Sequence, residues 1–527
     1  MGAFGLYLAT LAPTVTFWDS GELITAAYGL GISHQPGYPL YSLVGRAFSL
    51  LPFGSVAYRL NLLSAFFSAL AVFIVYHVLL EIFDGAHAKT ALSASLTLFL
   101  CAIRVFWSQA VVSEVYALNS SFVALLVLLH MKAAKGSMSP ERYLPLSGFV
   151  FGLGVINHMS LILYLPALAL SWALTSRVRG IIIGTAFIML GLSVYIYLPI
   201  RSHASPMLDI GHPDNWPRFW WVIKWGEYIG HAGNLAKNAG ALAARLDKRV
   251  IVAALAGLYL SWRLMRMGWR VYLPPLVFLA VYALGISALS VGAEYDGRFG
   301  LTGKFFIPAF MLIVIFIGAA ARDIMDTPVP KFTGPALAAA FGLAALFLIY
   351  TNYRQNDYSK QFVAYDYAQD SLKSVAQDGV LITWGDNGAF PLWYLHGVER
   401  YRDDAVLVHA PLMTYDWYLR DAESWLRGAV RFGKPYYLSA NVERIGKAGG
   451  GKRRMAYDFS ARHFLQLEDA GLKPYGLVYY EGQAPPGDPW RWYASRGADD
   501  EAAPKGAMDK NIVEIYRYQR RVRVTSP

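Results

Sequence analysis

Long apolar runs separated by short polar stretches set the pattern of the first two thirds of the chain. A bilayer crossing needs about 20 apolar residues to cover roughly 30 Å of hydrocarbon. Eleven segments qualify as candidate spans, near residues 2–16, 57–82, 90–106, 117–131, 144–157, 160–175, 180–200, 249–266, 271–291, 304–321 and 334–350. The first is short, since about 15 residues at 1.5 Å rise reach only some 22 Å. Either the chain begins further upstream or that helix starts at the surface. It lacks the basic n-region and small-residue cleavage site of a signal peptide. Segments 144–157 and 160–175 flank Asn157-His158 and are short too, which predicts tilted or half-buried helices. After Tyr350 the pattern changes to ordinary charge density without a span. Gly379 to Asp386 and Asp404 to His409 predict strands, and Phe390 to His396 and Trp417 to Arg427 predict helices. Alternating strands and helices suggest a small α/β domain. Gly446 to Arg454 reads as a loop, and no repeat of 20–50 residues is present.

Basic residues orient the spans. Arg263, Arg266 and Arg270 share one short loop; Lys132, Lys135 and Arg142 share another; Arg177 with Arg179, and Arg322 with Lys331, fill two more. The positive-inside rule puts these loops in the cytoplasm. The loops 16–56, 107–116, 201–248 and 292–303 and the tail then lie outside, in a periplasm or an ER lumen. The fold class expected is a mainly α polytopic membrane protein with a C-terminal soluble α/β domain, divided as 1–350 and 351–527. Composition agrees: 55% of the 527 residues are hydrophobic and 16% charged, against about 25% in soluble domains. The net charge of +11 suggests basic cytoplasmic loops and contact with membrane lipid before it suggests nucleic acid, which is not an expected partner. One cysteine excludes a disulfide framework. No Walker or dinucleotide glycine pattern offers a cradle for a soluble nucleotide.

The first outside loop carries the candidate chemistry. Asp19 and Glu22 stand three apart and project from one helix face. A carboxylate at a membrane boundary is costly without a partner or a task. The plainer reading is a capping box, with Asp19 as N-cap and Glu22 reaching back. His34-Gln-Pro-Gly-Tyr-Pro is a rigid turn beside an ionisable histidine, and it too can be merely a corner. The topology gathers Asp19, Glu22, His34, Glu114, His158 and Arg201 at one membrane surface, with Arg59, Asn61 and Asn157 on the same side and Arg298 and Lys304 bordering the tenth span. An arginine at a span end is ordinarily a snorkelling anchor; the functional reading is a phosphate clamp. No metal site stands out, although a divalent cation could sit among Asp19, Glu22 and Glu114. Trp384, Trp393, Tyr394, Trp417, Trp490 and Trp492 in the tail could stack on sugar or peptide, or be core.

An ordered set of motifs resembles one family. The motifs are Tyr7-Leu-Ala-Thr-Leu-Ala-Pro13, Trp18-Asp-Ser-Gly-Glu22, His34-Gln-Pro-Gly-Tyr-Pro-Leu40, Ala57-Tyr-Arg-Leu-Asn-Leu-Leu-Ser64, Glu114-Val-Tyr-Ala-Leu118, Asn157-His158, Tyr197-Leu-Pro-Ile-Arg201, and Gly385-Asp-Asn387 with Pro391-Leu-Trp-Tyr394. Together they resemble the multi-span family whose animal member is a protein O-mannosyltransferase, in the GT-C clan of lipid-linked-sugar glycosyltransferases. Gln35 stands where the family usually has proline, and Asp209-Ile-Gly-His-Pro213 is a loose version of a family element. The resemblance implies a GT-C-like helical domain with about eleven spans. It implies inverting transfer of a sugar, mannose above all, from a polyprenyl-phosphate donor to a protein Ser/Thr hydroxyl on the outer face. A lipid or cell-wall glycan acceptor is the alternative; a transporter or flippase is the rival from another class. In this reading Asp19 is the base with Glu22 as helper. Arg201, Arg59, His34, His158, Asn157 and Tyr38 attend the donor phosphate or sugar, and Glu114 and Asn61 support them. Low cysteine and Ala/Gly/Arg-rich usage lean towards a bacterial inner membrane, with the site in the periplasm.

Overall fold

The computed structural model describes residues 2–176, 178–224, 262–263, 268–286, 303–426, 432, 441–445, 454–468, 470–499 and 507–525. The expected span at 249–266, the second half of the loop 201–248, the loop 292–303 with Arg298 and the loop 446–454 fall largely outside these residues. The N-terminal region is helical: α1 (Gly2–Ala9), α2 (Ser20–Gly29), α3 (Pro39–Ser49), α4 (Val56–Ile82), α5 (Lys89–Ala102), α6 (Arg104–Ala110), α7 (Tyr116–Ala134), α8 (Pro140–Asn157), α9 (Leu165–Thr175), α10 (Val178–Leu192), α11 (Tyr197–His203) and α12 (Trp216–Ile223). Then come α13 (Gly268–Ile286), α14 (Ile307–Met325) and α15 (Thr333–Asn356). Among the described residues six helices are long and apolar enough to cross a bilayer, or seven if the bent pair α5–α6 is one span.

Among the described residues three of the expected spans are broken or shortened, for local reasons. Residues 2–16 do not make one helix. α1 ends at Ala9, and the chain beyond it is irregular and fixed by Asn61, whose amide donates to the Ala12 and Thr14 carbonyls at 2.9 and 3.0 Å. Ile103 adopts an extended conformation (φ −61°, ψ 123°), which interrupts the backbone ladder and bends α5 from α6 by 73°. His158 does the same between α8 and the turn that leads into α9 (φ −155°, ψ 120°). The predicted break at Asn157-His158 is therefore real. α8 and α10 approach until backbones touch: a Cβ on Gly148 would lie 2.3 Å from the Gly184 carbonyl oxygen. Small residues at such crossings are what hold helices together in lipid.

Beyond Tyr350 the chain forms α16 (Val363–Lys373), β1 (Val380–Thr383), α17 (Asp386–Gly397), β2 (Val406–His409), α18 (Asp416–Trp425), β3 (Met455–Asp458), β4 (Lys473–Tyr475) and β5 (Val478–Tyr480). The sheet order is β2-β1-β3-β5-β4. β1 pairs in parallel with β2 (Val380 opposite Val406) and β3 (Val380 opposite Met455), and β5 is antiparallel to β3 and β4. β1 is central and buried at all four positions, which is why Val-Leu-Ile-Thr is unbroken and not alternating. Both strands and both helices predicted from the tail sequence are present. Tyr394 and Trp417 are core, while Trp492 is exposed.

α17 ties the two regions together by lying against α2. The contact is close enough that a Cβ on Gly21 would sit 2.2 Å from the Phe390 carbonyl oxygen, so residue 21 has no room for a side chain.

Candidate active site

The site is built around the N-terminal end of α2. Asp19 occupies the N-cap position with helical backbone (φ −73°, ψ −6°), and its side chain makes no capping hydrogen bond. Glu22 does not reach back either. It is completely buried and accepts two bonds from His34, one from the backbone N–H and one from Nδ1, both at 2.6 Å. The capping-box reading of this pair therefore fails in both halves. Asp19 instead faces Lys304, whose Nζ lies 3.7 Å from Asp19 Oδ2 and 3.1 Å from Glu114 Oε1. The ammonium also sits 5.0 Å from the Tyr116 ring centroid and 6.0 Å from that of Trp18, within cation–π range.

Accessibility separates the three carboxylates. Side-chain exposure is 26% for Asp19, 6% for Glu114 and 0% for Glu22. Of the three, Asp19 is the one open enough for a substrate hydroxyl to reach. Burial pushes the Glu114 carboxyl above its usual range, with the Lys304 ammonium opposing. Its Oε2 is buried and has no hydrogen-bond partner, which leaves an acceptor atom beside the cation. Burial disfavours the His34 imidazolium, but the Glu22 carboxylate more than compensates and raises His34 to about 10. The ion pair thus favours the charged form of His34.

Local chain geometry sets these groups. Trp18 carries a left-handed backbone (φ 62°), and its N–H donates to Asn387 Oδ1 of α17 at 2.9 Å. The tail region thus holds the residue before Asp19. Gly37 (φ 88°) makes the turn that brings His34 and Tyr38 together. The two rings meet edge to face at 5.0 Å, and Tyr38 stacks on His158 at 6.5 Å. Tyr116 and Phe305 complete this wall, 5.3 and 6.2 Å from His158. Glu114 is positioned by the turn between α6 and α7, where Ser64 accepts its backbone N–H at 3.3 Å and Asn157 donates to the Val115 carbonyl at 3.1 Å.

The structure brings together Asp19, Glu22, His34, Tyr38, Glu114 and His158, with Asn61 and Asn157 holding the backbone around them. Arg201 does not join them. Its Nε and Nη2 donate to the carbonyls of Leu30 and Gly29, at the far end of α2 and about 15 Å from Asp19 by helix rise. Nor does Arg59, whose guanidinium is spent on the carbonyls of Ser49, Leu51, Gly54 and Ser55. Asp19, Glu22 and Glu114 do not converge on a metal either: His34 occupies one and Lys304 sits between the other two. Among the described residues no group of three His, Cys, Asp or Glu could hold a metal ion. Lys304 and Asn387 are the residues that sequence reasoning left without a role. A lone lysine at the mouth of an apolar span was the available signal. Asn387 carried only its place in a motif.

Two family models match this chain. One is described as the protein O-mannosyl-transferase TMEM260 N-terminal domain and covers residues 19–179; the other, TMEM260-associated domain 2, covers 364–426. The two matched segments contain the two surfaces that meet at Gly21 and Phe390. A mouse protein named protein O-mannosyl-transferase TMEM260 is 28% identical over 466 residues, covering 79% of this chain and 62% of its own length. A Dictyostelium discoideum protein of the same name is 23% identical, covering 78% of this chain and 56% of its own length. The chain thus spans about three fifths of the length of these relatives. Among solved structures, ArnT from Cupriavidus metallidurans in the apo state superposes with a TM-score of 0.56 at 10% identity, covering 92% of this chain and 98% of that one. The same protein bound to undecaprenyl phosphate superposes with 0.54 at 11% identity, with the same coverage. The resemblance read from the sequence is supported: the chain matches both TMEM260 models, in order, and shares the fold of ArnT.

Proposed function

We propose that this chain is an inverting membrane glycosyltransferase that moves a sugar, mannose in our reading, from a polyprenyl phosphate to a hydroxyl of a protein. The observation that carries the proposal is the Asp19–Lys304 pair: an accessible carboxylate facing a buried ammonium at the mouth of a membrane span. In the reaction the acceptor hydroxyl gives its proton to Asp19 as its oxygen attacks the anomeric carbon. The bond from that carbon to the phosphate oxygen breaks, and the electron pair leaves with the polyprenyl phosphate. The developing phosphate charge falls to Lys304, which takes the role that the sequence suggested for Arg201 and Arg59. Glu114 and Glu22 keep the cations in place, Glu114 fixing Lys304 and Glu22 fixing His34. The aromatic wall of Tyr38, Tyr116 and Phe305 suits an apolar sugar face.

The names of the relatives support transfer of mannose to protein, and a lipid of the proposed donor class is bound to ArnT, which shares the fold. We read the chain as a multi-pass protein of a bacterial inner membrane, with this site and the tail in the periplasm and the chain divided near residue 350. The experiment is transfer from a polyprenyl-phosphate mannose to a Ser/Thr-containing acceptor protein by purified chain, with Asp19→Asn alongside. A loss of about 10²–10⁴-fold is expected from removing a general base. Near-normal turnover in a folded Asp19→Asn variant would overturn the role of Asp19. Transfer to glycan and not to protein would redirect the acceptor assignment.

A further inference from the structure

At the opposite end of α2 two arginines line a cavity built from residues that the proposed reaction does not use. A cavity of about 580 Å³ opens there between α2, α3 and the start of α4, lined among others by Tyr28, Arg46, Leu50, Phe53 and Arg59. That volume lies within the range of small-ligand sites. Its lining contains two guanidinium groups and no carboxylate. Among the described residues neither arginine forms an ion pair.

The two arginines differ in what they have left to give. Arg59 spends four donor contacts on the carbonyls of residues 49–55 and so frames the cavity wall. Arg46 donates once, from Nη1 to the Tyr28 carbonyl at 2.6 Å, and lies 5.3 Å from the Tyr28 ring. Its Nε and Nη2 hydrogens have no protein acceptor among the described residues and remain for a ligand. A guanidinium offers paired donors that match the oxygens of a phosphate.

The rim identifies the kind of phosphate. Leu50 is 66% exposed and Phe53 47%, so apolar side chains stand in the open beside the two charges. Val56 in the lining is also the first residue of α4, a 27-residue span. The cavity therefore sits where a span emerges from hydrocarbon, at the depth of lipid headgroups. Charge in the cavity and apolar contacts at its edge match the two halves of a phospholipid.

We propose that the Arg46–Arg59 cavity binds the phosphate headgroup of an anionic membrane phospholipid, with Leu50 and Phe53 against the start of its acyl chains. This site is separate from Asp19 and Lys304 and does not depend on the transfer reaction. The test is native mass spectrometry of the full chain released from nanodiscs of mixed phosphatidylglycerol and phosphatidylcholine. Retained phosphatidylglycerol is expected on the wild type, with its preference reduced about tenfold in Arg46→Gln and largely kept in Arg46→Lys. Equal retention of the two lipids by the wild type would overturn the proposal, as would an unchanged preference in Arg46→Gln. Inorganic phosphate added as competitor separates the sources: failure to displace the lipid supports a headgroup site, and ready displacement means a simple anion site without the acyl contacts. Phe53→Ser, which leaves both arginines, is expected to weaken retention; no change there would remove the apolar half of the proposal.

Discussion

The two ends of α2 hold opposite chemistries, ten residues apart. At its N-terminal end stand Asp19, Glu22 and, from other elements, Glu114, met by Lys304 and His34. At its C-terminal end stand Arg201, Arg46 and Arg59, and what they meet is backbone carbonyl oxygen. The helix dipole favours this sorting, since carboxylates gain at the N-terminus and guanidinium groups at the C-terminus. The difference lies in what is left over. The acidic end keeps a half-open carboxylate and an orphaned carboxylate oxygen beside a buried cation. At the basic end Arg59 is largely spent on carbonyls and Arg201 partly so. Arg46 donates only once and keeps the most for a ligand.

The largest effect that would break this contrast is removal of Lys304. Lys304→Met leaves Glu114 buried without its partner and is expected to cost about 3–5 kcal/mol of stability. Adding Glu114→Gln should restore most of the melting temperature while transfer stays lost. Recovery of transfer in the double variant would take Lys304 out of the chemistry. Next comes Arg201→Ala, which frees two carbonyls at the end of α2 and should cost about 1–3 kcal/mol. Donor KM should stay at the wild-type value when corrected for folded protein. A raised donor KM would return Arg201 to the phosphate site.

Asn387→Ala removes the acceptor for the Trp18 N–H and should cost about 1 kcal/mol. Because Trp18 precedes Asp19, kcat is expected to fall several-fold with donor KM unchanged; equal kcat would make the contact merely structural. The smallest effect is in pH. His34 is raised in the fold from 6.5 to about 10 by Glu22, against the opposing effect of burial. The stability contributed by that pair is therefore complete below pH 6.5 and is lost as pH rises through 10. A melting curve of the wild type across this window should fall more than that of His34→Gln. Parallel curves would show that His34 is uncharged at its site.

Much of the helical layout was legible in the sequence, because hydrophobic length is a local property that packing does not overrule. Val56–Ile82 and Thr333–Asn356 come within a few residues of the expected spans. β1 and β2 were legible for the same reason, as short unbroken apolar runs bounded by turn residues. Asp19 was legible because a carboxylate at a span mouth is out of place. The bends at Ile103 and His158 differed in legibility: paired short segments announced the second, whereas a single residue's backbone conformation made the first.

The sequence by itself determined that apolar segments must leave water and that an acidic motif sits at their edge; composition and spacing suffice for both. Only the tertiary structure decided which charges meet. Residues 19, 114 and 304 are adjacent because three separate turns converge on one span mouth, and Asn387 reaches Trp18 because Gly21 lets α17 come within backbone contact of α2. The fate of each arginine was likewise set by which carbonyls the helix ends left unsatisfied. Pairing of charges depends on distances across the fold, and no local pattern in the chain encodes those distances.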